Sequence, residues 1–213
     1  MKYSEMDWGT MEAVVNKLGG LTGVQRFLRG ELAVSTPTRS WREEDGVIYF
    51  SVTSDGTTGE EWITRLEAKG FRVEPTYAES VLRSLDFKPT MGVITEVAVL
   101  KGMLFENSDR ITSKIRAEAE RRRFSKPSAE VACLIREKFT DEEIEAMGLI
   151  WIVAMHEPIN DSDGYPNLLG ANRDDDGRWL NAFWGRPDYT WYRGHGFAFA
   201  VSQVGPLTSV AVP

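Results

Sequence analysis

A single cysteine, Cys133, among 213 residues excludes an internal disulfide and any cysteine-rich zinc site. Such usage fits a reducing cytoplasm, and the apolar setting Val131-Ala132-Cys133-Leu134-Ile135 marks a buried structural thiol in place of a nucleophile. Long hydrophobic runs are missing as well. The longest, Leu149 to Met155, falls far short of the ~20 residues that a membrane-spanning helix needs. The opening residues Met1-Lys2-Tyr3-Ser4-Glu5-Met6-Asp7 place acid where an export signal needs a basic stretch followed by an apolar one, so a cytoplasmic location is expected. Positive charge is in deficit. The 25 basic against 32 acidic residues give a net charge of −7, which argues against coating of DNA or of an anionic membrane. No Walker A ending, dinucleotide glycine spacing, H-E-x-x-H helix or internal repeat is present, and neither a metal nor a cofactor is expected.

What is present is the make-up of a folded α/β protein, 42% hydrophobic and 27% charged, long enough for one well-buried core. Helical spacing over Met11–Leu18 and Thr22–Leu32, punctuated by Gly19-Gly20, predicts a short helical arm. Residues 1–46 form that arm and a linker, 47–157 an α/β core, and 158–213 a β-rich aromatic lobe with a tail from Gly205, all within one compact domain. In the core, strands are predicted at Val47–Val52, Val93–Leu100, Ala129–Ile135 and Leu149–Met155. Helices are predicted over Gly59–Lys69, Thr76–Leu85, Ser108–Arg123 and Asp141–Met147, with capping-box spacing at Thr58/Glu61 and Thr140/Glu143. Apolar strands alternating with helices suggest crossover connections and a mixed, mainly parallel sheet. In the lobe, Asn167–Asn172 and Arg178–Trp184 should pair as a hairpin about Asp174-Asp175-Asp176-Gly177, with a further strand over Gly196–Gln203.

Chemistry-bearing residues fall into four groups. Ser54, Asp55, Gly56, Thr57, Thr58 and Gly59 run from a strand into a helix, where free N–H groups and the helix dipole favour an anion. If the strands are parallel, Lys101, Arg136, Glu137, His156 and Glu157 join this loop at one carboxyl edge, with His156 and Glu157 as an acid–base pair and Lys101 completing the anion site. His156-Glu157 followed by Asp161 and Asp163, with His195 as a second ligand or base, supply metal-ligand types without a closed pattern, and a calcium-loop opening at Asn172, Asp174, Asp176 and Gly177 fails at position twelve, Phe183. The helix near Ser108 carries Arg110, Lys114, Arg116, Arg121, Arg122 and Arg123, of which the last three form a nucleic-acid candidate.

The fourth group is the aromatic C-terminal end, where Trp179, Trp184, Trp191, Tyr192 and Arg193 read as an interface. The leading functional reading is therefore a non-catalytic cytoplasmic protein that binds a protein partner or assembles with itself through this surface. The alternative is a small enzyme or ligand-binding protein for a phosphate- or carboxylate-bearing substrate. A nucleic-acid regulator, using the basic helix or Gln25, Arg26 and Arg29 of the helical arm, ranks third.

Overall fold

The computed structural model describes residues 7–33, 39–174 and 177–201. The tail from Gly205, the end of the strand expected to reach Gln203 and the Ser35–Thr38 linker lie outside the described residues. The chain divides into two compact units, Met1–Arg39 and Ser40–Pro213.

The first unit contains α1 (Trp8–Lys17) and α2 (Gly20–Leu28). Asp7 caps α1 by accepting from Thr10 N at 2.6 Å. Gly19 and Gly20 turn the chain with φ of 86° and 78°, a region open to glycine at little cost. A Cβ on Gly23 would lie 1.5 Å from Leu18 O, so the two helices meet only because that position is bare.

The second unit runs β1 (Arg42–Glu44), β2 (Val47–Asp55), α3 (Gly59–Ala68), β3 (Arg72–Val73), α4 (Ala78–Arg83), β4 (Met91–Lys101) and α5 (Thr112–Arg121). It continues with β5 (Phe124–Ser125), α6 (Glu130–Lys138), α7 (Asp141–Ala146), β6 (Trp151–Ala154), β7 (Ile159–Asn160), β8 (Pro166–Asp174), β9 (Gly177–Trp184) and β10 (His195–Val201). Both capping boxes form: Thr58 and Glu61 start α3, and Thr140 and Glu143 start α7. The ten strands make one mixed sheet of order β1-β2-β4-β10-β6-β8-β9-β3, with β5 on β10 and β7 on β8.

The expectation of a mainly parallel sheet is corrected. Parallel pairing is confined to β6–β10 and β3–β9, and every other strand pair is antiparallel. The strand expected at Ala129–Ile135 is the helix α6, in which every residue from Glu130 to Arg136 is buried. A helix covered on all sides reads as an apolar run, which periodicity cannot tell from a central strand. The strands expected in a C-terminal lobe belong to the same sheet as β2 and β4, and β10 lies between β4 and β6.

Alternation along the strands gives the sheet two apolar faces. One carries Ile48, Phe50, Val97, Ile152, Leu169 and Leu180 and is covered by α3, α4, α6 and α7. The other carries Leu100, Val153, Phe183, Phe197 and Phe199 beneath α5 and Trp191. On the first face α3 meets α4 so closely that a Cβ on Gly59 would stand 1.8 Å from Leu82 O. Gly59→Ala must therefore push the two helices apart, and we expect a loss of roughly 1–3 kcal/mol or more, read as a lower urea midpoint. Thr58→Ala, which removes the cap alone, should cost about 1 kcal/mol. An unchanged midpoint for Gly59→Ala would mean that α3 and α4 do not pack in this way in solution.

Candidate functional site

Most of the polar groups of the loop at residues 54–59 are met by the protein itself. Gly56 N donates to Thr90 O (2.8 Å), Thr57 N to Asp55 Oδ1 (3.2 Å), Thr58 N to Glu61 Oε2 (2.8 Å) and Glu61 N to Thr58 Oγ1 (3.4 Å). Two carboxylates of the protein thus occupy the positions that an external anion would take. Asp55 is held at a pKa of about 2 by the Thr57 hydroxyl and by the Arg65 guanidinium, which also grips Glu137 (Arg65 Nη2 to Oε2, 2.6 Å). Ser54 points inward, hydrogen-bonded to Thr90 Oγ1 (2.8 Å) and accepting from Val93 N (3.1 Å).

The edge shared by these residues and the other candidates is only partly formed. Because β4 runs antiparallel to β2, Lys101 stands beside Val47's end of the sheet, the opposite edge from Asp55, where it pairs with Glu43 at 2.7 Å. Arg136 and Glu137 sit on a helix. β6 does run in the sense of β2, so His156 follows a strand end on the Asp55 side. Three strand spacings separate β2 from β6, roughly 14 Å of sheet width.

His156 is 1% exposed, and both of its nitrogens are engaged. Nε2 accepts from Leu169 N (2.9 Å), which places the proton on Nδ1, bonded to the carbonyl of Glu157 (2.6 Å). Burial pushes its pKa down to about 4. The Glu157 carboxylate turns away to Lys126, so the histidine meets the main chain of its expected partner and not its acid. Beside them lies a cleft of about 430 Å³ lined by Asp86, Lys88, Pro127, Ser128, Glu157 and Ile159, with His156 in its wall. None of its lining comes from the 54–59 loop. Cys133 is buried and its thiol pKa is raised by desolvation.

His195 is 4% exposed and stacked on Trp151 at 4.5 Å and 24°. Its Nδ1 has no hydrogen-bond partner, and burial, with Arg110 nearby, lowers its pKa to about 4. Asp161, considered above as a ligand, instead closes its own turn. It accepts from Asp163 N and Tyr165 N, each at 2.9 Å, and from Asn167 Nδ2 at 2.8 Å. Among the described residues no three His, Cys, Asp or Glu side chains come together as a metal ion would need.

The interface candidates separate by exposure. Trp191 is a core residue, 2% exposed, its Nε1 donating to Thr112 Oγ1 at 3.0 Å. Trp179 is half-buried beneath Arg72, whose guanidinium lies 5.1 Å from the ring centre. Trp184, Tyr192 and Arg193 are exposed. Trp184 lies nearly parallel to Tyr165 (6.5 Å, 14°) and within reach of Tyr189 and Arg186. Tyr165 carries no sequence signal, being a lone aromatic in a polar turn. Of the basic group, Arg121 and Arg122 both bind Glu118, at 2.7 and 2.6 Å, and Arg123 is exposed beyond the helix end. In the first unit Arg29 and Arg26 pair with Glu31.

Both histidines have folded-state pKa values below the ordinary 6.5, so the unfolded chain takes up their protons first. Stability should be full above about pH 6.5 and fall by a few kcal/mol as pH drops towards about 4. His195→Phe keeps the ring stack and removes the unpartnered Nδ1. We expect it to be neutral or stabilising at neutral pH and to flatten the acid limb of the urea midpoint. His156→Phe loses two bonds and should cost roughly 1–3 kcal/mol. A histidine resonance titrating near pH 6.5 in the folded protein would contradict this arrangement.

Comparison with protein families, with curated proteins and with solved structures finds no match to this chain, so its function is read from the residues themselves.

Proposed function

We propose that the protein is a non-catalytic binding module that engages a protein partner, or a second copy, through the Tyr165–Trp184 surface. The observation that carries this is the pair of nearly parallel rings, Tyr165 57% and Trp184 50% exposed. Rigid, half-exposed aromatics beside an arginine are the side chains that dominate binding energy at protein interfaces, because large rings gain area at small entropic cost.

The main chain that carries both rings is set within the fold itself. The Asp161 carboxylate fixes the turn that presents Tyr165. Trp184 ends β9, and the next residue, Gly185, donates to Pro166 O at 2.8 Å while fitting against Pro158. Arg186 lies 5.8 Å from the Trp184 ring and pairs with Asp188 at 3.1 Å. A small enzyme using His156 and Glu157 has less support, since both nitrogens of the histidine are engaged within the fold. A cytoplasmic setting belongs to the same reading and is supported by a lone buried thiol.

The test compares wild type with Trp184→Ala and Tyr165→Ala. Self-association is read by sedimentation velocity, and affinity for partners recovered from the source cells and then purified is read by calorimetry. Each variant should weaken the association at least about tenfold while leaving the thermal midpoint nearly unchanged, because both side chains are half exposed. Undiminished affinity in both variants, or no association of any kind, would remove the proposal.

A further inference from the structure

The helix α5 bears two stripes. Thr112, Ile115 and Ala119 face the core. Lys114, Ala117, Glu118 and Arg121, at the i, i+3, i+4, i+7 spacing of one helix face, line a cleft of about 410 Å³ instead. Arg122 lines it too, and Leu104, Phe105 and Asp109, from the turn before the helix, supply a second wall. The volume lies within the range of small-molecule sites.

Both walls are fixed in advance. The guanidinium of Arg110, itself buried, donates to Gly102 O (2.8 Å), Asn107 Oδ1 (3.1 Å) and Phe105 O (2.7 Å), which ties down the turn that carries Leu104 and Phe105. Phe105 is further set edge-on against Phe197 at 6.3 Å. On the helix, Glu118 accepts from Arg121 Nε and Nη2 and from Arg122 Nε. That leaves Arg121 Nη1, both Nη atoms of Arg122 and the ammonium of Lys114 as donors without an acceptor among the described residues. They are three donor groups on the lining that also includes the small side chain of Ala117, so an anion with at least three oxygens matches them better than a carboxylate does.

We propose that this cleft binds a small phosphate-bearing molecule with an apolar body, its phosphate held by Lys114, Arg121 and Arg122 and its body against Leu104 and Phe105. The site is independent of the Tyr165–Trp184 surface. Arg123, exposed and outside the lining, plays no part in it.

The experiment is an NMR titration of the full chain with phenyl phosphate, inorganic phosphate and phenol, repeated with a mixed-sequence oligonucleotide. Phenyl phosphate should bind saturably, shifting the amides of α5 and of Leu104 and Phe105, inorganic phosphate about tenfold more weakly, and phenol not at all. Lys114→Gln and Arg121→Gln should each weaken phenyl phosphate about tenfold. Ala117→Leu, which adds bulk to the lining of the cleft and keeps every charge and a good helix former, should abolish binding with an unchanged thermal midpoint. Absence of saturation, or saturation indifferent to Ala117→Leu, would overturn the proposal. So would an oligonucleotide that binds through Arg123 while phenyl phosphate does not bind.

Discussion

A single buried helix with one buried charge towards each end organises the covered face of the sheet. Glu130 opens α6, where the helix dipole favours an acid, and Arg136 lies in its last turns, where it favours a base. The carboxylate accepts from Thr90 N (3.0 Å), from Thr90 Oγ1 and from Ser128 Oγ (3.1 Å), which anchors the segment entering β4. The guanidinium reaches Asn172 O in β8 (2.9 Å), Phe139 O (2.7 Å) and Asp141 (3.0 Å), which anchors β8 and the start of α7. Neither charge has water to fall back on, so the loss of any of these partners leaves a buried ion or carbonyl unmet. The placing of β4, β8 and α7 about a common core depends on those bonds.

That helix is also where sequence reasoning failed, and for a physical reason. Charges at 130 and 136 would ordinarily mark solvent, and the residues between them are apolar on every side, so no period of 3.6 survives to be seen. The helices α3 and α7 were legible because their information is local: a threonine and a glutamate three residues apart satisfy each other's end groups whatever lies around them. The hairpin of β8 and β9 was legible for a similar reason. Strand direction was not. It depends on which distant strand lies alongside, and β10, from the far end of the described chain, lies between β4 and β6.

The candidate sites show the same division. Composition identified the aromatic end but could not sort it, because Trp191 and Trp184 are the same residue type with opposite fates. Phe183 packs into the core beneath α5, whereas its neighbour Trp184, the last residue of β9, is half exposed. His156 was correctly placed at a strand end, yet its chemistry was set by an amide of β8, Leu169, thirteen residues on in sequence. The cleft on α5 escaped notice because its lining alternates in sign, and alternating charges on a helix ordinarily mean no more than a solvated face.

The central position of β10 has a consequence for how the chain acquires its fold during synthesis. When the ribosome has made everything up to β9, the strands present form two separate ribbons, β1-β2-β4 on one side and β6-β8-β9-β3 on the other, each with an unpaired inner edge. The helix α6 spans the gap, with Glu130 tied to Thr90 before β4 and Arg136 tied to Asn172 in β8, and the Arg116 guanidinium of α5 reaches across to His156 O beyond β6. The last strand enters as a wedge between two half-sheets already set at the right separation. Its pairings with β4 are among the most distant in the chain, which makes closure a late event in folding.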